Sequence, residues 1–227
     1  MHYRDKAHTV LRSAWELATT ATLLDAVEAC IGPDILVYNT SYIVKEPQSP
    51  AKVNWHQDLT YWGLSDDDAQ VSAWIALAPA TVESGCMRMI PGSHRGGKVE
   101  HVAPAERRID DVLQLGQFIA DVDEDTSVYV PLEPGEASLH HGWTVHASSP
   151  NVSTDRRIGL NVQFLAPHCR QLMHDGDTAL LVRGEDRFHH FGVDTLAAVE
   201  VDLSALERQR AHEQRIKSTY SVVRDQR

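Results

Sequence analysis

The chain has 227 residues, 42% of them hydrophobic and 23% charged, an ordinary globular composition with enough apolar mass for one sizeable core. A formal net charge of -11 argues against nucleic acid as a partner, because a phosphate backbone calls for a basic surface. Cys30, Cys86 and Cys169 are widely spaced and odd in number, so they form neither a metal knuckle nor a disulfide framework, and a cytoplasmic setting is expected.

Near the start, Arg4, Asp5, Lys6, Arg12, Glu16 and Asp25 interrupt any signal-peptide core. No apolar run approaches the ~18 residues of a membrane span, so no membrane partner is expected. Over residues 9–30, Val10, Ala14, Leu17, Ala21, Leu24 and Val27 recur at three- and four-residue steps. That period predicts one amphipathic helix, stopped by Gly32 and Pro33.

The texture then changes to short β-like runs at 35–44, 70–77, 86–90, 127–132, 136–141 and 157–165. Turn residues separate them at 46–50, 84–85, 91–92, 134–135 and 150–151, a spacing that predicts a sandwich or barrel. The polar stretch 95–125 reads as a long loop with a short helix over 105–115, and loops of that length usually cover a site. Beyond residue 167 the pattern weakens. Ser204 and Glu207 form a capping-box pattern that predicts a charged helix to about residue 217.

The chemistry concentrates in a few residues. His56-Gln57-Asp58 follows a predicted strand, where residues two apart share a face and can reach one metal ion. A lone His-x-Asp is common as a surface pair, so a second imidazole is needed, and His140, His141 and His146 all offer one. Two imidazoles and a carboxylate form a facial triad that leaves three adjacent positions on iron open. Arg157, eleven positions after His146, opens a strand run, where its guanidinium can clamp a carboxylate through two parallel hydrogen bonds.

The order and spacing of His56-Gln57-Asp58, Trp74, the run Gly-Cys-Met-Arg-Met-Ile-Pro-Gly-Ser-His at 85–94, His-Ala-Ser-Ser-Pro-Asn at 146–151, and Arg157 resemble the phytanoyl-CoA dioxygenase family. The resemblance covers roughly residues 35–165. It implies a mainly β fold with a double-stranded β-helix (jelly-roll, cupin-like) core and flanking α-helices. The expectation is one domain over 1–227, with a helical N-terminus at 9–31, a core at about 35–167 and a C-terminal extension at 168–227.

The implied activity is that of an Fe(II)/2-oxoglutarate-dependent dioxygenase. It would use O2 to hydroxylate a small-molecule substrate and release succinate and carbon dioxide. Carried over by position, iron falls to His56, Asp58 and His146, and Arg157 pairs with the distal carboxylate of 2-oxoglutarate. Ser148 adds a hydroxyl to that carboxylate, while Gln57, Trp74 and Tyr38 line the cosubstrate pocket.

His146 is preferred to its neighbours because it alone stands in the right relation to Arg157, Ser148 and Asn151, and His141 is expected to support the ligands from behind. The carboxylate of Asp58 speaks for hydroxylation over halogenation, which relatives achieve with Ala or Gly at that position. His101, His168, His174, His189 and His190 are expected at the surface, and Trp55 and Tyr61 as a substrate wall or as packing. Two rivals are a zinc hydrolase, which has no use for Arg157, and a non-catalytic jelly-roll binding protein, in which one of the four key residues would have been lost. None of these features encodes an oligomeric state.

Overall fold

The computed structural model describes residues 5–65, 68–103, 117–207, 209–210 and 214. In chain order its elements are α1 (Arg12–Ala18), α2 (Ala21–Ile31), β1 (Ile35–Lys45), β2 (Val53–His56), α3 (Leu59–Trp62), β3 (Gln70–Ala76) and β4 (Met87–Met89). There follow β5 (Val128–Val130), β6 (Ala137–His140), β7 (His146–Ser148), β8 (Arg157–Leu165), β9 (Thr178–Arg183) and β10 (Gly192–Val193). The fold is mainly β with few helices, as the punctuated runs and the resemblance led one to expect. No described helix is long and apolar enough to cross a membrane.

The single helix expected over 9–30 is two. Thr19 and Thr20 turn their hydroxyls onto backbone carbonyls, Thr19 to Trp15 at 2.9 Å and Thr20 to Leu17 at 3.0 Å. Thr20 leaves helical geometry at φ -56, ψ 130, and its own carbonyl accepts from Leu23 and Leu24, so it starts α2. The stop at Gly32 is as expected, with φ +91 and its N–H given to Glu28. Near the other end, Asp202 rather than Ser204 caps the short turn, accepting from the Ser204 N–H at 3.0 Å. The helix expected over 105–115 lies outside the described residues, as does most of the one expected to reach 217.

The chain divides into two compact units. One comprises Ile43–Tyr61 and Trp74–Leu160. Its four-stranded sheet has the order β2-β7-β4-β5, with its three neighbouring pairs antiparallel. A second layer in this unit is made by the ends of β1, β8 and β3 with β6 alongside. Leu77 donates to Ile158 and Ala76 to Glu136, both at 2.9 Å. Between the layers sit Trp74 and Ala76 from β3, Met87 from β4, and Ala80 and Cys86, with Ile43, Met89 and Leu132 packed against them.

The other unit holds α1, α2, the greater part of β1, residues Trp62–Ala73, and the chain from Asn161 onward. Here β9 runs antiparallel to β1, with Leu36 opposite Leu181, and β10 runs parallel to β9. The strand β9 went unpredicted because Thr-Ala-Leu-Leu-Val-Arg has no period-two alternation. Its pairing with β1 creates it.

Trp74 depends on a glycine. A β-carbon at Gly159 would stand 2.0, 2.4 and 2.6 Å from three atoms of the Trp74 ring. Gly159→Ala should therefore force the indole or the strand aside and lower stability by about 1–3 kcal/mol, read as a drop in the urea-unfolding midpoint. An unchanged midpoint would mean that Trp74 has room to move.

Candidate metal centre

All the residues of this centre belong to the unit that holds the four-stranded sheet. The register of β2 against β7 sets His56 directly opposite His146. Side chains of such a pair stand on one face about 5 Å apart at Cβ, and the two ring centroids are 4.1 Å apart. Between the Val53–Ser148 and His56–His146 pairs, β2 takes one residue more than β7, a bulge that re-aims the final histidine of β2.

Asp58 does not reach the site along an extended strand, as the His-x-Asp spacing suggested. β2 ends at His56, and the chain turns into α3, with the Tyr61 N–H given to the Asp58 carbonyl at 3.0 Å. Leu59 N–H donates to Gly142 and ties this turn to the loop before β7. The turn places Asp58 Oδ1 3.3 Å from His56 Nε2 and 3.7 Å from His146 Nε2. One ligand atom from each of the three residues lies within 4.8 Å of the other two.

Backbone carbonyls select the tautomers. His56 Nδ1 lies 2.9 Å from the Asn54 carbonyl and His146 Nδ1 2.9 Å from that of Thr144. A carbonyl can only accept, so each Nδ1 carries the proton and each Nε2 keeps its lone pair facing Asp58. Burial, reinforced by the neighbouring His56, lowers the pKa of His146 to about 3, so this ring is neutral at ordinary pH. Burial alone would raise the Asp58 carboxyl, but His146, His140 and His56 outweigh it and hold the group well below the usual carboxylate range. Two lone pairs and a carboxylate in one buried cluster fit a first-row divalent cation with positions left open.

The same unit buries two cations. Arg157 and Lys45 are 1% and 0% exposed. The Arg157 guanidinium lies over the Trp74 ring, 5.0 Å from its centroid, and donates to the Gly85 carbonyl at 2.9 Å. Lys45 Nζ donates to Ser148 Oγ at 2.7 Å and to the Ser149 carbonyl, and stands 3.5 Å from that of Gly85. Gly85 is held at φ +74, where a β-carbon would meet the Ser149 oxygen at 2.2 Å.

Among the described residues neither cation has a carboxylate partner, and Arg157 Nε has no hydrogen-bond acceptor. Burial lowers the pKa of Arg157 to about 10, and burial followed by the Arg157 charge lowers that of Lys45 to about 6. Two desolvated basic groups share a carbonyl, and an anion beside them would offset the cost of charging both.

Trp74, Ser148 and Arg157 thus meet as expected. Lys45 was missed, although a signal existed: it stands two residues after Ile43 and so on the same strand face, toward the core. Gln57 is fully buried, and its carboxamide is spoken for, with both N–H groups going to Gly97 and Trp143 at 2.8 Å and its oxygen accepting from Val99 at 2.8 Å. It has no hydrogen left for a cosubstrate and instead fastens residues 97–99 to the metal-ligand turn.

His101, expected at the surface, is 4% exposed and accepts the Gln57 N–H at 3.1 Å. Tyr61 stacks edge-on against His101 and gives its hydroxyl to Gln117 at 2.7 Å. Trp55 stacks on Arg88. Tyr38 belongs to the other unit, where its hydroxyl donates to Asp177 at 2.6 Å.

Replacing Gln57 with Leu would strand one buried and two partly buried backbone groups. Each such loss costs about 1–3 kcal/mol, so Gln57→Leu should be severely destabilised, with amide exchange at residues 97–101 rising first. Unchanged exchange there would remove the fastening role.

Comparison with known proteins agrees with this geometry. Residues 2–159 match the family described as phytanoyl-CoA dioxygenase (PhyH). The human peroxisomal phytanoyl-CoA dioxygenase is 27% identical over 165 residues, 71% of this chain and 48% of that protein. The chain spans about half the length of the human and bovine relatives it matches.

Among solved structures, the apo form of the non-heme monooxygenase ThoJ superposes with a TM-score of 0.84 at 29% identity, over 98% of this chain and 81% of that one. EvdO2 from Micromonospora carbonacea var. aurantiaca, complexed with 2-oxoglutarate, matches with a TM-score of 0.59 at 27% identity, over 77% and 70% of the two chains.

Proposed function

The chain belongs to the phytanoyl-CoA dioxygenase family, and on that premise we propose that it is an Fe(II)/2-oxoglutarate-dependent oxygenase that hydroxylates a small molecule. His56, Asp58 and His146 would hold the iron. Iron bound there supplies the oxidising chemistry, in which O2 is consumed, 2-oxoglutarate becomes succinate and carbon dioxide, and the substrate gains a hydroxyl.

The observation that carries the proposal is the buried cation pair. A triad alone would suit a zinc hydrolase, but a hydrolase has no use for two desolvated cations that lack an anion. A dicarboxylate does use them. Arg157 has an unengaged Nε to give, Lys45 supplies a compact charge, and the Ser148 hydroxyl is already positioned by Lys45. Trp74 forms a flat wall beneath the guanidinium. Gln57, His101 and Tyr61 hold residues 97–101 and 117 over the ligand turn, which excludes water and strengthens these interactions.

Asp58 supports hydroxylation over halogenation, because its carboxylate takes the position a halide would need. We assign the protein to a reducing cytoplasm on the strength of its three free cysteines. The net charge of -11 is consistent with a small-molecule partner and not a nucleic acid.

Succinate release from 2-oxoglutarate under air, against pools of candidate metabolites, tests the activity. Failure to form succinate with any pool or alone, in protein shown to be iron-loaded, would contradict it. Arg157→Ala should weaken 2-oxoglutarate binding by about 2–5 kcal/mol and leave iron affinity nearly unchanged.

A pH dependence follows from Lys45. Without an anion its pKa is about 6, and a bound carboxylate must raise it. Between the two values binding takes up a proton, so cosubstrate affinity should fall as pH rises above about 6. Calorimetry with Mn(II) in place of iron, in buffers of different ionisation enthalpy at neutral pH, should show this uptake in the parent protein and lose it in Lys45→Met. Zero uptake in the parent protein would take Lys45 out of the anion site.

A further inference from the structure

A third imidazole, beside that of His146, faces the other oxygen of the triad carboxylate. His140 ends β6, is 6% exposed, and neither of its ring nitrogens has a hydrogen-bond partner among the described residues. Its Nε2 lies 3.5 Å from Asp58 Oδ2, whereas His56 and His146 both approach Oδ1. Its ring centroid is 4.8 Å from that of His146.

The sequence reading favoured His141 for a supporting role. His141 instead accepts the Trp143 N–H at 3.0 Å and stacks beside His94. His140 is the residue that meets the ligand.

The two carboxylate oxygens of Asp58 are therefore in different surroundings. Oδ1 shares its space with the Nε2 atoms of His56 and His146, which are fixed as lone-pair donors by their carbonyl partners. Oδ2 has before it an imidazole that no carbonyl or other acceptor has claimed. A buried ring N–H without an acceptor is unfavourable, and the nearest acceptor is Oδ2, a few tenths of an ångström beyond ideal length.

We propose that His140 is a positioning residue: it donates an Nε2 hydrogen bond to Oδ2 of Asp58 when a metal ion occupies the triad, holding the carboxylate to one-oxygen ligation through Oδ1. This rests on the metal reading of His56, Asp58 and His146. A carboxylate left free to rotate would offer both oxygens to the ion and take up a position that the cosubstrate or dioxygen needs. His140 is not a fourth ligand, because its nitrogen addresses Oδ2 and not the Oδ1 that His56 and His146 approach, and it falls outside the group of mutually close ligand atoms.

Co(II) is the probe, because its visible absorption reports coordination number without any turnover. The parent protein should bind one Co(II), and His146→Ala should abolish the binding. If the parent protein binds none, the metal reading fails and this inference falls with it. His140→Phe and His140→Leu should each weaken Co(II) binding by about tenfold or more, the usual consequence of losing a partner behind a ligand, and should shift the visible bands toward higher coordination.

His140→Gln, whose carboxamide can still donate, should restore most of the affinity and the parent spectrum. Binding and spectra unchanged in the apolar variants would overturn the proposal while leaving the triad intact. So would a drop in coordination number that Gln fails to rescue, which would identify His140 as a ligand. If neither bulky apolar variant folds, the smaller truncation His140→Ala carries the same expected loss and band shift, and parent-like Co(II) binding and spectrum in it would overturn the proposal.

Discussion

The site depends on one strand pairing. The short strand β7 lies between β2 and β4, and its register sets His146 opposite both His56 and Met89. Side chains in a sheet alternate faces, so a slip of one residue would turn His146 outward and bring Ala147 to the centre. The same alternation carries Ser148 to the face that holds His146, which is why one three-residue strand contributes both a candidate metal ligand and a hydroxyl beside the buried Lys45. Bonds across the ladder fix the imidazoles before any ion arrives, and the Nδ1 contacts to Asn54 and Thr144 fix which nitrogen is bare.

Two buried polar clusters set the chemistry this unit can offer. Within one unit, the Asp58 carboxylate faces the Nε2 atoms of two imidazoles, and the basic groups of Arg157 and Lys45 are buried with no carboxylate beside them among the described residues. Each arrangement alone is costly to fold, since desolvated charge needs a partner. The fold maintains both by over-determining their neighbours. Gly85 lets a carbonyl approach the cations, Gly159 lets Trp74 lie under the guanidinium, and Gln57 ties the ligand turn to its cover. A metal ion and an anionic cosubstrate would offset both costs together.

Much of this was legible in the sequence because the period of a strand is short and rigid. The six expected runs each fall on an observed strand, and the order His56, Asp58, Trp74, His146, Ser148, Arg157 identified the centre. What escaped was set by tertiary contacts. The break at Thr19 and Thr20 needed the competition between side-chain hydroxyls and the helix, which a hydrophobic period does not register.

The backbone partners of Gln57 and the burial of His101 escaped because they depend on groups far along the chain, invisible to any local pattern. Lys45 is the instructive case. A lysine at a strand end reads as solvent-facing, yet its place two residues after Ile43 pointed inward, and alternation was the better guide than residue type.

The central claim is that this triad and this cation pair together bind Fe(II) and 2-oxoglutarate. Anaerobic addition of one equivalent of Fe(II) followed by 2-oxoglutarate, monitored by visible absorption, tests it most directly. The account predicts a visible charge-transfer band that saturates at one cosubstrate per chain and is absent in His146→Ala. A colourless mixture in iron-loaded protein, or a band undiminished by His146→Ala, would contradict it.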